Sequence, residues 1–145
     1  MNIFKGLLIL LISIQCLFGN YAFYSKVKNM CSSYRLNVFQ ENMHLSDDEF
    51  TLTLDSKRNN FERVILIGFA SVGTAIEHQK DLLEKEKIKQ TLIPETVTII
   101  VNIPVTRNNL IISASASSIL IENFSTGRID SKQFMQEIKD SIQTL

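Results

Sequence analysis

Two glycines near the middle of the chain have a spacing that could form a ligand-binding turn. Gly68 and Gly73 form a Gly-x-Ala-x-x-Gly pattern that follows an apolar run, residues 64–67, and precedes a stretch of helical periodicity. A strand-to-helix turn here would present backbone N–H groups to the pyrophosphate of a dinucleotide. However, alanine replaces the central glycine of that fingerprint, and the next strand ends at Asn102, where an acid that binds ribose is expected. Nucleotide or small-ligand binding by a βαβ-type enzyme or carrier is therefore the alternative function, and close helix packing is the favoured explanation.

Few residues could supply acid–base or metal chemistry. Glu77 and His78 are adjacent, and His44 is the only other histidine. Because this spacing lacks a pair of ligands such as His-x-x-x-His, we expect no metal site. The serines over residues 113–118 lack the glycine frame of a nucleophile elbow. The sequence therefore predicts no catalytic residue and no cofactor, favours a protein that is not an enzyme, and keeps Glu77 and His78 as candidates under the alternative function only.

A short polar segment is the favoured interaction candidate. Arg107, Asn108 and Asn109 follow Thr106 between two apolar runs, and asparagine tolerates the left-handed backbone that tight turns need. A turn is the simplest interpretation. The functional hypothesis is a surface contact loop on a rigid hairpin, with Arg107 as its anchor.

The charge distribution argues against nucleic acid as a partner. Fifteen basic and fifteen acidic side chains balance, and the densest lysine cluster, residues 80–89, is interrupted by acids. Without a concentrated basic face, nucleic acid is excluded as a partner. The expected partner is a protein or a second copy of this chain, and membrane contact is expected only through an uncleaved signal segment.

The beginning of the chain predicts export. Residues 1–19 combine an early lysine with an apolar run that is shorter than the ~20 residues of a membrane-spanning helix, which is typical of a signal peptide. Cleavage after Gly19 or Ala22 would release a periplasmic or secreted protein. Cys31 is then the only cysteine left, so no intrachain disulfide is expected, and a buried thiol is the favoured interpretation.

The sequence predicts a flexible segment over residues 20–45. A single α+β domain over residues 46–145 follows it and must position the candidate residues. Alternating Phe50, Leu52 and Leu54 favour a strand, although Ser46 and Glu49 also fit the capping box of a helix. One long helix over residues 61–88 is favoured over a strand at 64–67 followed by a turn. Its small residues are expected to face a strand rich in serine and alanine.

Two strands and a helix complete the prediction. Residues 97–101 form a β-branched run, and residues 110–117 alternate, so the pair is expected to be an antiparallel hairpin. Asp130 is expected to cap a last helix over residues 131–143. The predicted fold is a long central helix and a C-terminal helix on an antiparallel, hairpin-based sheet. The leading functional hypothesis is a non-catalytic domain that binds a protein partner or its own copy.

Overall fold

Helices and strands are mixed along the part of the chain that the computed structural model describes, residues 20–46 and 48–145. The predicted α+β class is confirmed, whereas the predicted signal peptide, residues 1–19, lies outside the described residues. The helices are α1 (20–33), α2 (Phe61–Glu84), α3 (Ser118–Ser125) and α4 (Ser131–Ile138). The strands are β1 (Met43–Ser46), β2 (Glu49–Asp55), β3 (Thr96–Pro104), β4 (Asn109–Ser117) and β5 (Gln143–Thr144).

Helix α2 is continuous, so the prediction of one long helix is confirmed and the alternative strand at 64–67 is wrong. Its fully buried Ile65, Phe69 and Ile76 recur at helical spacing along the side that faces the core. The helix ends four residues earlier than predicted. Glu86 adopts a left-handed backbone with φ of 57°, and the Lys87 N–H donates to the Leu82 carbonyl at 2.9 Å, which closes the last turn.

The sheet has the order β1-β2-β3-β4-β5 and is mixed. The strand predicted around Phe50 is confirmed as β2, so the alternative helix start there is wrong. Strands β2 and β3 are parallel, from Glu49 paired with Thr96 to Asp55 paired with Asn102, and the other three pairs are antiparallel. The predicted antiparallel sheet is corrected accordingly: α2 crosses over the sheet between β2 and β3 and returns the chain in the same direction.

The predicted hairpin of β3 and β4 is confirmed, with a continuous ladder from Thr96–Ser117 to Pro104–Asn109. Alternate side chains of β3 are buried beneath the helices, while those between them are only half-buried. We call this second side of the sheet the open face, and it is formed mainly by Thr51, Thr53, Thr98, Ile100, Asn102, Ile111, Ser113 and Ser115.

Helix α1 lies in the segment for which the sequence predicts flexibility. Its Phe23, Val27 and Cys31 are completely buried, one turn apart on a single stripe. The Phe23 ring packs edge-to-face on Phe50 of β2, with 5.1 Å between centroids. Residues 20–33 therefore belong to the same core as the rest of the domain, because this stripe needs the sheet beneath it.

Two further elements of the C-terminal third were not predicted, α3 and β5. The Phe134 ring of the predicted helix α4 packs edge-to-face on Phe69 of α2, with 5.2 Å between ring centroids. It also stacks on Phe124 of α3, with 4.5 Å between centroids. After α4 the chain turns along the outer edge of β4, where β5 pairs and the Ser141 Oγ accepts from the Ser115 N–H at 3.0 Å. The chain end thus covers a sheet edge that would otherwise present free N–H and C=O groups.

The sequence predicts that the small residues of α2 face β4, but the two glycines of α2 lie against other elements. A Cβ built on Gly68 would lie 3.1 Å from Ile99 and 3.2 Å from Leu54, so this glycine lies over β3 and β2. On Gly73 a Cβ would lie 2.6 Å from the Cβ of Ser125, at the end of α3. Both glycines therefore allow close approach, one to the sheet and one to a helix.

The N-terminus of α4 provides a local test of stability. The Asp130 carboxylate accepts from the Gln133 N–H at 2.8 Å, and the Gln133 side chain accepts from the Asp130 N–H at 3.1 Å. We expect Asp130→Ala to lower the free energy of unfolding by about 1 kcal/mol, because the Gln133 N–H loses its acceptor. Urea denaturation measures the loss. Lys132→Ala, one residue from the same cap, is the control, and an equal loss in both variants would contradict the capping role.

Candidate functional site: the loop end of the sheet

The predicted contact loop lies at the tip of the β3–β4 hairpin. Arg107 and Asn108 are exposed there, and the Val105 N–H donates to the Asn108 carbonyl at 3.2 Å. Asn109 is the first residue of β4 and pairs with Pro104, so it stands at the base of the turn. A fully paired ladder thus fixes the base of the turn that carries Arg107.

A second loop lies at the same end of the sheet, because β2 and β3 are parallel and finish at one edge. This loop, residues 56–60, joins β2 to α2. The Ser56 N–H donates to the Asn102 carbonyl of β3 at 2.9 Å, and the Asn60 N–H donates to the Lys57 carbonyl at 3.0 Å. We call residues 56–60 and 105–109 the contact loops.

The sequence reasoning missed the first contact loop, although a signal was present. Arg58-Asn59-Asn60 repeats the tripeptide Arg107-Asn108-Asn109. Only the parallel pairing of β2 and β3 reveals that both tripeptides lie at the same end of the domain.

A cleft of about 650 Å³ opens between the contact loops. Three asparagine amides line it, from Asn60, Asn102 and Asn109, together with Asp55 and Lys57. The Asn60 side chain makes no capping hydrogen bond to α2, so its amide can bond a group in the cleft. Amides donate and accept, which suits the peptide groups of an extended chain.

The electrostatics of this end are positive. The contact loops carry Lys57, Arg58 and Arg107, all exposed, and Asp55 at the end of β2 is the acid nearest to them in sequence. An arginine guanidinium can bind a carboxylate through two parallel hydrogen bonds. The loop end is therefore suited to contact a surface that carries carboxylates.

The site required by the alternative function is not formed. Gly68 and Gly73 lie inside α2, where backbone N–H groups donate to carbonyls one turn earlier instead of pointing at a ligand. The close contacts of both glycines explain their presence without a nucleotide. The expected turn between strand and helix is therefore replaced by continuous helix.

The remaining candidates do not converge on one site. Glu77 and His78 are half-buried on α2, while His44 points away from α2, on the other side of the sheet. Within residues 20–46 and 48–145, no group of three or more His, Cys, Asp or Glu side chains could hold a metal ion. Among the serines, Ser117 caps α3 and Ser118 donates to the Pro94 carbonyl, so both have structural partners.

Cys31 is buried, as the sequence indicates. Its Sγ donates to the Ser71 Oγ of α2 at 3.4 Å. Burial raises the pKa of the Cys31 thiol, and its hydrogen bond with Ser71 offsets this only in part. The thiol therefore packs as a small apolar group between α1 and α2.

Two further findings bear on the class of protein. In the described part of the chain no helix is both long and apolar enough to cross a membrane. Comparison of the chain with protein-family models, with curated proteins and with solved structures finds no match.

Proposed function

We propose that this protein is an exported, non-catalytic domain that binds a protein partner through its contact loops. One observation carries the proposal: two loops with the same Arg-Asn-Asn tripeptide end at one edge of the sheet, and each is attached to a paired strand. The proposal of export rests on the lysine and the apolar run in residues 1–19, which together are typical of a signal peptide.

The attachment of both loops to paired strands supports a role in binding. Arginine is enriched among the residues that dominate protein interfaces, and an anchor held in place before binding loses little conformational entropy. The backbone that carries Arg107 is restrained in this way, because the ladder of β3 and β4 continues to the Pro104–Asn109 pair at the base of its turn. The asparagines around the cleft can then bond the peptide groups of the partner beside the anchor.

Site-specific photo-crosslinking tests the proposal. A photoreactive residue at Thr106, next to the anchor, is expected to give a discrete cross-linked protein product in cells that make the protein. The additional substitution Arg107→Glu is expected to reduce this product at least about tenfold, because an attraction to carboxylates becomes a repulsion.

Two controls make the result specific. Arg128→Glu changes another exposed arginine, between α3 and α4, and should leave the product unchanged. The photoreactive residue at Lys132 of α4 should give no such product. A Thr106 product that is equally strong with Arg107→Glu, or no product at all, would overturn the proposed role of the contact loops.

A further inference from the structure

The open face has the composition of a contact surface. No lysine or arginine occurs in any of the five strands, and the half-buried positions of the open face are threonine, serine, asparagine and isoleucine. Ile100 is the middle residue of β3 and is flanked across the sheet by Thr53 and Ser113. An apolar side chain thus stands at the centre, surrounded by small β-branched and hydroxyl residues.

Two hydroxyl groups of this face, those of Thr98 and Ser115, bond to each other, so they can be covered at little cost. The Thr98 Oγ1 lies 2.8 Å from the Ser115 Oγ and donates to the Glu49 Oε1 at 3.2 Å. Covering a polar group is costly when it loses its partner, and these groups keep theirs.

The two ends of the open face carry opposite charges. At one end Asp48, Glu49 and Glu95 border a hollow that Thr98 and Ser115 also line. At the other end are the contact loops with their three basic side chains, which outweigh the carboxylate of Asp55 at the end of β2. The charge therefore changes sign along the direction of the strands.

We infer that the occupant of the open face is a second copy of this chain, packed face to face about a two-fold axis that runs across the strands beside Ile100. This inference rests on the proposed function, because it names the partner of the contact loops. Rotation about such an axis reverses the strand direction, so the contact loops of each copy lie over the acidic end of the other. An axis parallel to the strands would instead bring like charges together.

The size of the face agrees with a reversible dimer. With strands about 4.8 Å apart and a rise of about 3.3 Å per residue, β1 to β4 cover roughly 450 Å². Two copies with their flanking loops would bury about 1,000 Å² in total, near the lower limit for a specific interface. We therefore expect a dissociation constant in the micromolar range.

The first test is the oligomeric state of the protein, purified in the form in which cells accumulate it. Sedimentation velocity is expected to show a dimer that forms with rising concentration and weakens in 0.5 M salt. Ile100→Lys, which would bring two cations together at the axis, is expected to leave a monomer that still unfolds cooperatively. Ile119→Lys, at a 75% exposed position on α3, is the matched control and should dimerise normally.

The second test is a charge exchange between two residues. A recovery of affinity in the exchanged variant would not be expected if Arg107 only stabilised the fold. Arg107→Glu should weaken the dimer about tenfold, because two symmetric attractions become repulsions. Adding Glu95→Arg in the same chain should restore most of the affinity. If Ile100→Lys does not fold, Ser113→Lys in the same row of the sheet takes its place.

The outcomes separate this inference from the proposed function. A protein that stays monomeric up to about 200 µM, a dimer that tolerates both lysine variants, or a charge exchange without recovery would overturn the inference. If the Thr106 cross-link to a different protein then persists and needs Arg107, the proposed function stands without it. A Thr106 product with the mass of two chains supports both.

Discussion

Val101→Asp is expected to abolish the cooperative unfolding transition of this domain. Val101 is fully buried in β3, between the parallel ladder to β2 and the antiparallel ladder to β4. An unpaired carboxylate at this position costs several kcal/mol. The cost arises either from burying the charge or from protonating the carboxylate so that it is buried neutral. Since a domain of this size is stable by about 5–15 kcal/mol, this single change removes most of the stability.

The neighbouring residue provides the matched control. Ile100→Asp makes the same substitution one position earlier in the same strand, but on the half-buried open face, where water can solvate the carboxylate. We expect this variant to remain folded and to lose only about 1 kcal/mol through lower strand propensity. Circular dichroism during thermal melting compares the two. A Val101→Asp protein that melts cooperatively near the wild-type temperature would show that β3 is not central to the core.

Gly73→Ala is expected to destabilise the protein, although the glycine lies in the middle of a helix. Alanine normally improves a helix by about 1 kcal/mol, but overpacking costs about 1–3 kcal/mol, and we expect a net loss of about 1–2 kcal/mol. Overpacking dominates because the new Cβ would lie 2.6 Å from the Cβ of Ser125 and 3.1 Å from Ile121. A Cβ is fixed to its backbone, so relief requires α3 to move.

Gly68→Ala is the comparison for this prediction. Its new Cβ meets methyl groups of Ile99 and Leu54 at 3.1–3.2 Å, and these side chains can shift more easily than a helix. We therefore expect the smaller loss at Gly68. Ser125→Gly should recover part of the loss in Gly73→Ala, and a double-mutant cycle by urea denaturation measures this coupling. Additive effects, or a stabilised Gly73→Ala variant, would contradict the close approach of α2 and α3.

The elements that could be predicted from the sequence are those with a long and regular pattern. Helix α2 repeats its buried residues over six turns, and β3 alternates over nine residues. Helix α4 could be located because Asp130 caps it, although it ends at Ile138, five residues before the predicted end. In each case the information lies within the element itself.

The missed elements depend on neighbours that the sequence does not identify. Helix α1 buries a narrow stripe of one residue per turn, so its few buried positions are hidden among polar ones. Helix α3 follows β4 directly, and Ser117, whose side chain accepts from the Leu120 N–H at 3.3 Å, looks like a further residue of the alternating strand. The parallel pairing of β2 with β3 has no local signature.

The residues of the candidate site also divide into those that could be predicted from the sequence and those that could not. Arg107 and Asn108 could be placed on a hairpin tip, because short polar segments between two strands form turns. Lys57 and Arg58 also lie in a polar turn, but their proximity to the hairpin follows from the direction of β3 relative to β2. The glycines led to a different hypothesis, since the same small residues suit both a phosphate turn and tight helix packing.

The parallel ladder also determines the order in which this chain can fold. The β1–β2 and β3–β4 hairpins each close over a few residues, whereas the ladder that joins them pairs Glu49 with Thr96 across the whole of α2. Loop-closure entropy makes such distant contacts form late. During synthesis β2 leaves the ribosome well before β3, so the two halves of the sheet cannot join until most of the chain has emerged. The proposed export would benefit from this delay, because a chain that is carried across a membrane unfolded must not fold beforehand.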